Sequence, residues 1–176
     1  MIRLANELEN VKTVAVAGHI RPDGDCTGSC LAVYSYLQEN FPEISVDVYL
    51  EMVNPNFLFL KGADQVKISC EEDRGYDLFI ALDASEKERL GGAAKYFETA
   101  GKTLCIDHHI TNPGFAEQNW VDAQASSTAE LVYQALEEDK ISKETAEAVY
   151  LGIIHDTGVF QYSNTTPRTM QIAGRL

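Results

Sequence analysis

Three short stretches of the chain are almost wholly apolar: Thr13–Ala17 (TVAVA), Leu78–Leu82 (LFIAL) and Thr103–Ile106 (TLCI). Unbroken apolar runs of this length suit strands of a parallel sheet covered on both faces. ISVDVYL, residues 44–50, alternates instead and predicts a further strand nearer an edge. Helical periodicity fills the gaps. Cys26, Cys30, Val33 and Leu37 fall on one stripe. SSTAELVYQALEE opens with a capping box, Ser127 to Glu130, before its apolar positions begin. KETAEAVYLGII puts Ala146, Val149, Tyr150 and Ile153 on one face, and TPRTMQIAGRL reads as the start of a helix. Strands alternating with helices predict an α/β fold: a mainly parallel β-sheet flanked by helices on both faces, Rossmann-like and three-layered. The 176 residues suit a single domain.

The chemistry collects just after the strands. His19, Asp23 and Asp25 follow the first, in GHIRPDGDCTGS; Asp83 follows the second directly; Asp107, His108 and His109 follow the third. His155 and Asp156 end the helix YLGIIHD. These segments hold all four histidines of the chain. Ligands of open parallel sheets gather at the carboxyl ends of the strands, so the topology brings these groups to one edge. Carboxylates crowded there repel one another by several kcal/mol at an intermediate dielectric. Asp156 at a helix C-terminus meets the unfavourable end of the dipole. Divalent cations remove both penalties. Mixed imidazole and carboxylate donors suit Mn²⁺, Fe²⁺, Co²⁺ or Zn²⁺ better than Ca²⁺, and the donors outnumber what one ion needs, so two ions are expected. A two-ion site clamps the attacking and leaving oxygens of a phosphoryl displacement.

Charge narrows the substrate. Asp and Glu outnumber Lys and Arg by 27 to 14, for a net charge of −13. Without a basic cluster such a surface repels long duplex nucleic acid, which binds by phosphate neutralisation. An anionic substrate is therefore expected to be short. No apolar leader and no stretch of membrane-spanning length occurs. Cys26, Cys30, Cys70 and Cys105 lack zinc-site spacing and read as reduced structural thiols. A cytoplasmic protein is the expectation. EEDRGYD reads as a solvated acidic turn, and the lone Trp120 as a core residue rather than a base-stacking platform.

H-x₃-D-x-D, a lone strand-end Asp, D-H-H and G-x₃-D-T-G, in this order and spacing, resemble the DHH phosphoesterases. DAQASSTAELVYQAL, between D-H-H and the last Asp, is most similar to the nano-RNase/pAp-phosphatase branch. The resemblance implies roles by position. His19, Asp23 and Asp83 hold one metal; Asp25, Asp83, His108 and Asp156 hold the other; Asp83 bridges the two beside the attacking water. Asp107 orients a ligand imidazole, and His109 faces the substrate phosphate or leaving group. The implied cofactor is two Mn²⁺ per chain, with Mg²⁺, Co²⁺ or Fe²⁺ as substitutes. The implied substrates are short 5′-phosphorylated oligoribonucleotides or 3′-phosphoadenosine 5′-phosphate (pAp). Arg21 and the helix start at Ser127 are expected to touch phosphate, and a homodimer is the expected assembly.

Two departures stand out. The branch often carries a small or hydroxyl residue where His155 stands, so His155 is expected to be a bystander. The branch also has a second domain with a glycine- and histidine-rich substrate motif. Nothing in these 176 residues resembles it, so the chain is expected to be the catalytic half alone. Manganese pyrophosphatases and cyclic-dinucleotide phosphodiesterases of the same superfamily are the nearer alternatives, and a non-catalytic metal- or nucleotide-binding module is a further one. DGDCT also mimics the D-x-D-x-T of haloacid-dehalogenase-type phosphatases. There the first Asp directly follows a strand, whereas Asp23 comes six residues after Ala17, and the histidines would have no role.

Overall fold

The apolar runs form the centre of the sheet in a computed structural model that describes residues 2–176. β1 (Thr13–Ala17) and β3 (Leu78–Leu82) occupy the predicted residues, and β4 (Lys102–Asp107) extends the predicted run by one residue at each end. β2 (Ser45–Tyr49) lies at one edge and β5 (Gln118–Val121) at the other. The order is β2-β1-β3-β4-β5, and every neighbouring pair is parallel. β2 and β3 lie on opposite sides of β1, so the connections reverse direction there. The carboxyl ends of β1 and β3 frame the crevice that this reversal opens.

Helices cover both faces. α2 (Gly24–Asn40), α4 (Thr128–Ala135) and α5 (Lys143–Asp156) pack on one side, with α1 (Leu4–Glu7) and α6 (Pro167–Ala173) beside them. Val14, Val16, Leu78, Ile80, Leu82, Leu104 and Ile106 point into that core. The alternate positions Ala15, Ala17, Phe79, Ala81 and Cys105 point to the opposite core, closed by α3 (Ala94–Thr99) and residues 87–93. Strands buried on both faces have no polar side to display, and their sequence is apolar throughout for that reason.

The α2 stripe Cys26, Cys30, Val33 and Leu37 is buried as expected. The face expected for α5 is shifted. Tyr150 is exposed and Ala146 half-buried, while Thr145, Ala148, Val149 and Gly152 face inward. Small residues carry this contact because the helices approach closely. A Cβ on Gly152 would stand 2.4 Å from the Ala129 Cβ and 2.8 Å from the Asp25 Oδ1. That approach brings α4 and α5 up to the start of α2. Trp120 lies in β5, half-buried against the larger core. All four cysteines are free. Among the described residues no helix is long and apolar enough to cross a membrane.

Candidate metal centre

The chain turns sharply where it leaves the sheet. Asp83 has φ of +56°, a left-handed conformation that a short polar side chain tolerates at a cost of about 1–3 kcal/mol. The turn sets the Asp83 carboxylate, 2 % exposed, at the middle of the crevice. After β1, His19 is buried and donates from Nδ1 to the carbonyl of Ile20 at 2.8 Å. A carbonyl only accepts, so Nδ1 carries a proton and Nε2 is the nitrogen turned to the carboxylates. Nε2 lies 3.5 Å from Asp83 Oδ2 and 3.8 Å from Asp23 Oδ2. Asp23 caps α2: its Oδ1 accepts the amides of Asp25 and Cys26, each at 3.0 Å. Its Oδ2 is the oxygen turned to His19.

Asp25 is completely buried in the first turn of α2. Its Oδ2 accepts the amide of Thr128 at 2.7 Å and its Oδ1 that of Ala129 at 2.8 Å. The Thr128 hydroxyl donates to Asp83 Oδ1 at 2.9 Å. One threonine thus ties two acidic groups to the start of α4. His108 completes the inner group. Its Nε2 lies 3.2 Å from Asp156 Oδ2, 3.6 Å from Asp83 Oδ1 and 3.8 Å from Asp25 Oδ2. Asp107, fully buried, does not bond that ring. Its Oδ1 accepts the His108 amide and, at 2.7 Å, Nδ1 of His109, while Asn112 fills its Oδ2. The imidazole that Asp107 orients is therefore that of His109.

The electrostatics show strain among like charges. Burial, with Asp83 and Asp156 nearby, raises the Asp25 carboxyl well above the usual range despite the two amides it accepts. Burial, with Asp83 and Asp23 adding to it, pushes Asp156 up to about 6 against the pull of His108. Asp23 goes the other way. Burial opposes ionisation, but His19 and the Cys26 amide prevail and hold it at about 2. Burial would lower His19, yet its contacts with Asp23 and Asp83 raise it far above an ordinary histidine. His109 is raised by Asp107. Among the described ion pairs of the cluster the buried acids face only imidazole nitrogens, with no lysine or arginine. This donor set fits divalent transition ions. The donor atoms of Asp25, His108 and Asp156 lie within 4.8 Å of one another, as do those of Asp83, His108 and His109 and of His19, Cys26 and Asp83; Asp23 Oδ2 lies 3.8 Å from His19 Nε2.

The expectation for Ser127 needs correction. Ser127 is completely buried and spends its hydroxyl as the cap of α4, accepting from the Glu130 amide at 3.1 Å. The amides expected to meet a phosphate, those of Thr128 and Ala129, already go to Asp25. The helix start faces inward and serves the acidic cluster. The Glu130 side chain, expected to close the capping box on Ser127, reaches Ser126, Thr169 and Arg168 instead. Arg21 is exposed, with φ of +55° and its amide on Glu51. His155, expected as a bystander, lies with its donor atom within 4.8 Å of those of Asp23 and Asp156. Sequence reasoning missed Thr128, whose signal was hidden in a helix cap. It also missed Asn112, and Asn164, which donates to the carbonyls of Ser126 and Asp156.

Residues 13–153 match the DHH family, N-terminal domain. The chain is 32% identical over 169 residues to the bifunctional oligoribonuclease and PAP phosphatase NrnA of Bacillus subtilis, covering 93% of this chain and 52% of the relative. It is 32% identical over 166 residues to the NrnA of Thermus thermophilus, covering 93% and 49%. Among solved structures, an exopolyphosphatase-related protein from Bacteroides fragilis superposes with a TM-score of 0.86 at 26% identity, over 98% of this chain and 54% of that one. The chain spans about half the length of the curated relatives it matches.

Proposed function

The chain belongs to the DHH family, and on that premise we propose that it is a metal-dependent phosphoesterase acting on short 5′-phosphorylated oligoribonucleotides and pAp. The observation that carries this reading is the convergence of two imidazole nitrogens on one buried carboxylate. Nε2 of His19 stands 3.5 Å from one oxygen of Asp83, and Nε2 of His108 stands 3.6 Å from the other. With a nitrogen donor beside each of its oxygens, Asp83 would be shared by two divalent ions, one held also by His19 and Asp23 and the other by His108, Asp25 and Asp156. Such a pair of ions, when bound, supplies charge neutralisation at the phosphate and a water of lowered pKa. We take both ions to be Mn²⁺, the hard end of the range that mixed imidazole and carboxylate donors accept.

The chain's own residues do the rest. Thr128 fixes the Asp83 rotamer. Asp107, itself held by Asn112, keeps His109 half-exposed beside the cluster and raises its pKa, which favours the protonated imidazole. From there it donates to a phosphate oxygen or to the leaving oxygen. Arg21, on the exposed turn after β1, offers a second cationic contact to the substrate. The names of the relatives support oligoribonucleotides and pAp as the substrate class.

The test is one chromatographic assay with Mn²⁺ and a mixture of pAp, a short RNA oligomer, a cyclic dinucleotide and pyrophosphate, using Asp83→Ala as control. Consumption of pAp and RNA, abolished in the variant, supports the reading. Consumption of pyrophosphate or the cyclic dinucleotide alone moves the protein to another branch. Turnover unchanged in Asp83→Ala sinks the site.

A further inference from the structure

Resting on the two-ion reading above, we propose that Asp23, His155 and Asp156 form a third divalent-cation position at the outer rim of the cluster. The ligating atoms of these residues lie within 4.8 Å of one another. They comprise one imidazole nitrogen and two carboxylate oxygens, a donor set suited to Mn²⁺ or Co²⁺. The position is distinct from the inner pair because Asp83, the common member of that pair, does not take part in it.

Exposure places it on the substrate side. The Asp83 side chain is 2 % exposed, that of Asp156 21 % and that of Asp23 42 %. His155 is exposed. A cation at this rim would add positive charge on the side from which phosphate arrives, where among the described residues the cluster's carboxylates pair only with histidines.

The backbone is shaped to admit the imidazole. A Cβ on Gly24 would stand 2.5 Å from Cγ of His155 and 2.6 Å from its Cδ2. Only glycine lets this ring lie across the start of α2, beside the carboxylate of Asp23. Phe57 closes its other side edge-on, with ring centroids 6.1 Å apart. The residue thus has a seat built from two other segments.

The experiment is a Mn²⁺ titration of the full chain, followed by loss of the free-ion EPR signal, on wild type, His155→Ala, Gly24→Ala and Asp83→Ala. Circular dichroism of each metal-free protein establishes that the variants fold. The expected result is three ions per wild-type chain. His155→Ala is expected to keep two, and Gly24→Ala, which retains every ligand but displaces the ring, to lose the outer ion or bind it at least 10-fold more weakly. Two ions in both wild type and His155→Ala, or three in both, overturns the outer position. Fewer than two in wild type overturns the inner reading as well. That failure is told apart because Asp83→Ala then changes the count no more than His155→Ala does.

Discussion

Glu130 and Asp25 are both completely buried, and both are bound to the first turn of α4, yet the chain treats them differently. Glu130 has its countercharge in the sequence. Arg168 reaches it from α6, the hydroxyls of Thr169 and Ser126 donate at 2.6 and 2.7 Å, and the carboxylate is complete. Asp25 has two amides and the Ser29 hydroxyl at 3.3 Å, but its charged neighbours Asp83 and Asp156 carry its own sign. A buried charge is stable only when paired and hydrogen-bonded. Glu130 is therefore structure, whereas on the proposed function Asp25 and its neighbours take their countercharge from a bound cation. That difference, more than the number of acidic groups, separates a functional site from a polar core.

The comparison breaks most visibly at Asp83. Asp83→Ala should lower phosphoester turnover at least about 10³-fold, as expected where the group common to both ions is removed; the chromatographic assay measures it. Next comes the structural arm. Arg168→Ala strands a buried carboxylate, and a fully buried pair would lose about 3–5 kcal/mol. Arg168 is itself 40 % exposed, so the expected cost is about 2 kcal/mol. Urea denaturation should give the same loss with Mn²⁺ and with chelator.

Thr128→Val keeps the shape and the backbone amide that serves Asp25, and removes only the hydroxyl on Asp83. Partners that orient a ligand are worth about 10- to 100-fold, so kcat/KM should fall within that range, and Thr128→Ser should restore it. The smallest effect belongs to Asp47, a carboxylate with permanent partners. Burial opposes its ionisation, but the Tyr76 hydroxyl at 2.6 Å and the cations of Lys67 and Arg74 hold it below the usual range. A depressed folded pKa gives stability that is present above the unfolded value of about 4 and is lost as pH falls through the folded one. Asp47→Asn should therefore cost about 1 kcal/mol or less at pH 7, and the gap to wild type should close as pH falls below about 4.

Much of this was legible in the sequence because the strands are buried on both faces. A run such as LFIAL followed at once by Asp83 announces both a strand and a polar group at its end. The charged and imidazole groups were legible for the same reason, since each follows an element that could be recognised. What escaped was carried by small or ambiguous residues. The inner face of α5 uses Thr145, Ala148 and Gly152, which hydropathy does not mark as core, while the apolar Tyr150 lies outside. Thr128 looked like part of a helix cap, and only the packing of α4 against α2 and β4 brings its hydroxyl to Asp83. Ser127 misled for the opposite reason: a free helix start attracts anions, but the anion is Asp25 of the same chain. β5 begins with the exposed Gln118 and Asn119, so its edge position hid it.

The measurement that bears most directly on the account is the thermal melt of the wild-type chain in chelator and in Mn²⁺ well above its dissociation constant, beside Asp83→Asn. Ligand at about 100-fold over Kd stabilises by about 2.7 kcal/mol, or about 5–10 °C for a chain of this size. The account predicts that rise in wild type and its loss in Asp83→Asn, with the metal-free variant melting no lower than metal-free wild type. Equal melting temperatures for wild type in Mn²⁺ and in chelator would contradict it, because the buried acids would then need no external cation.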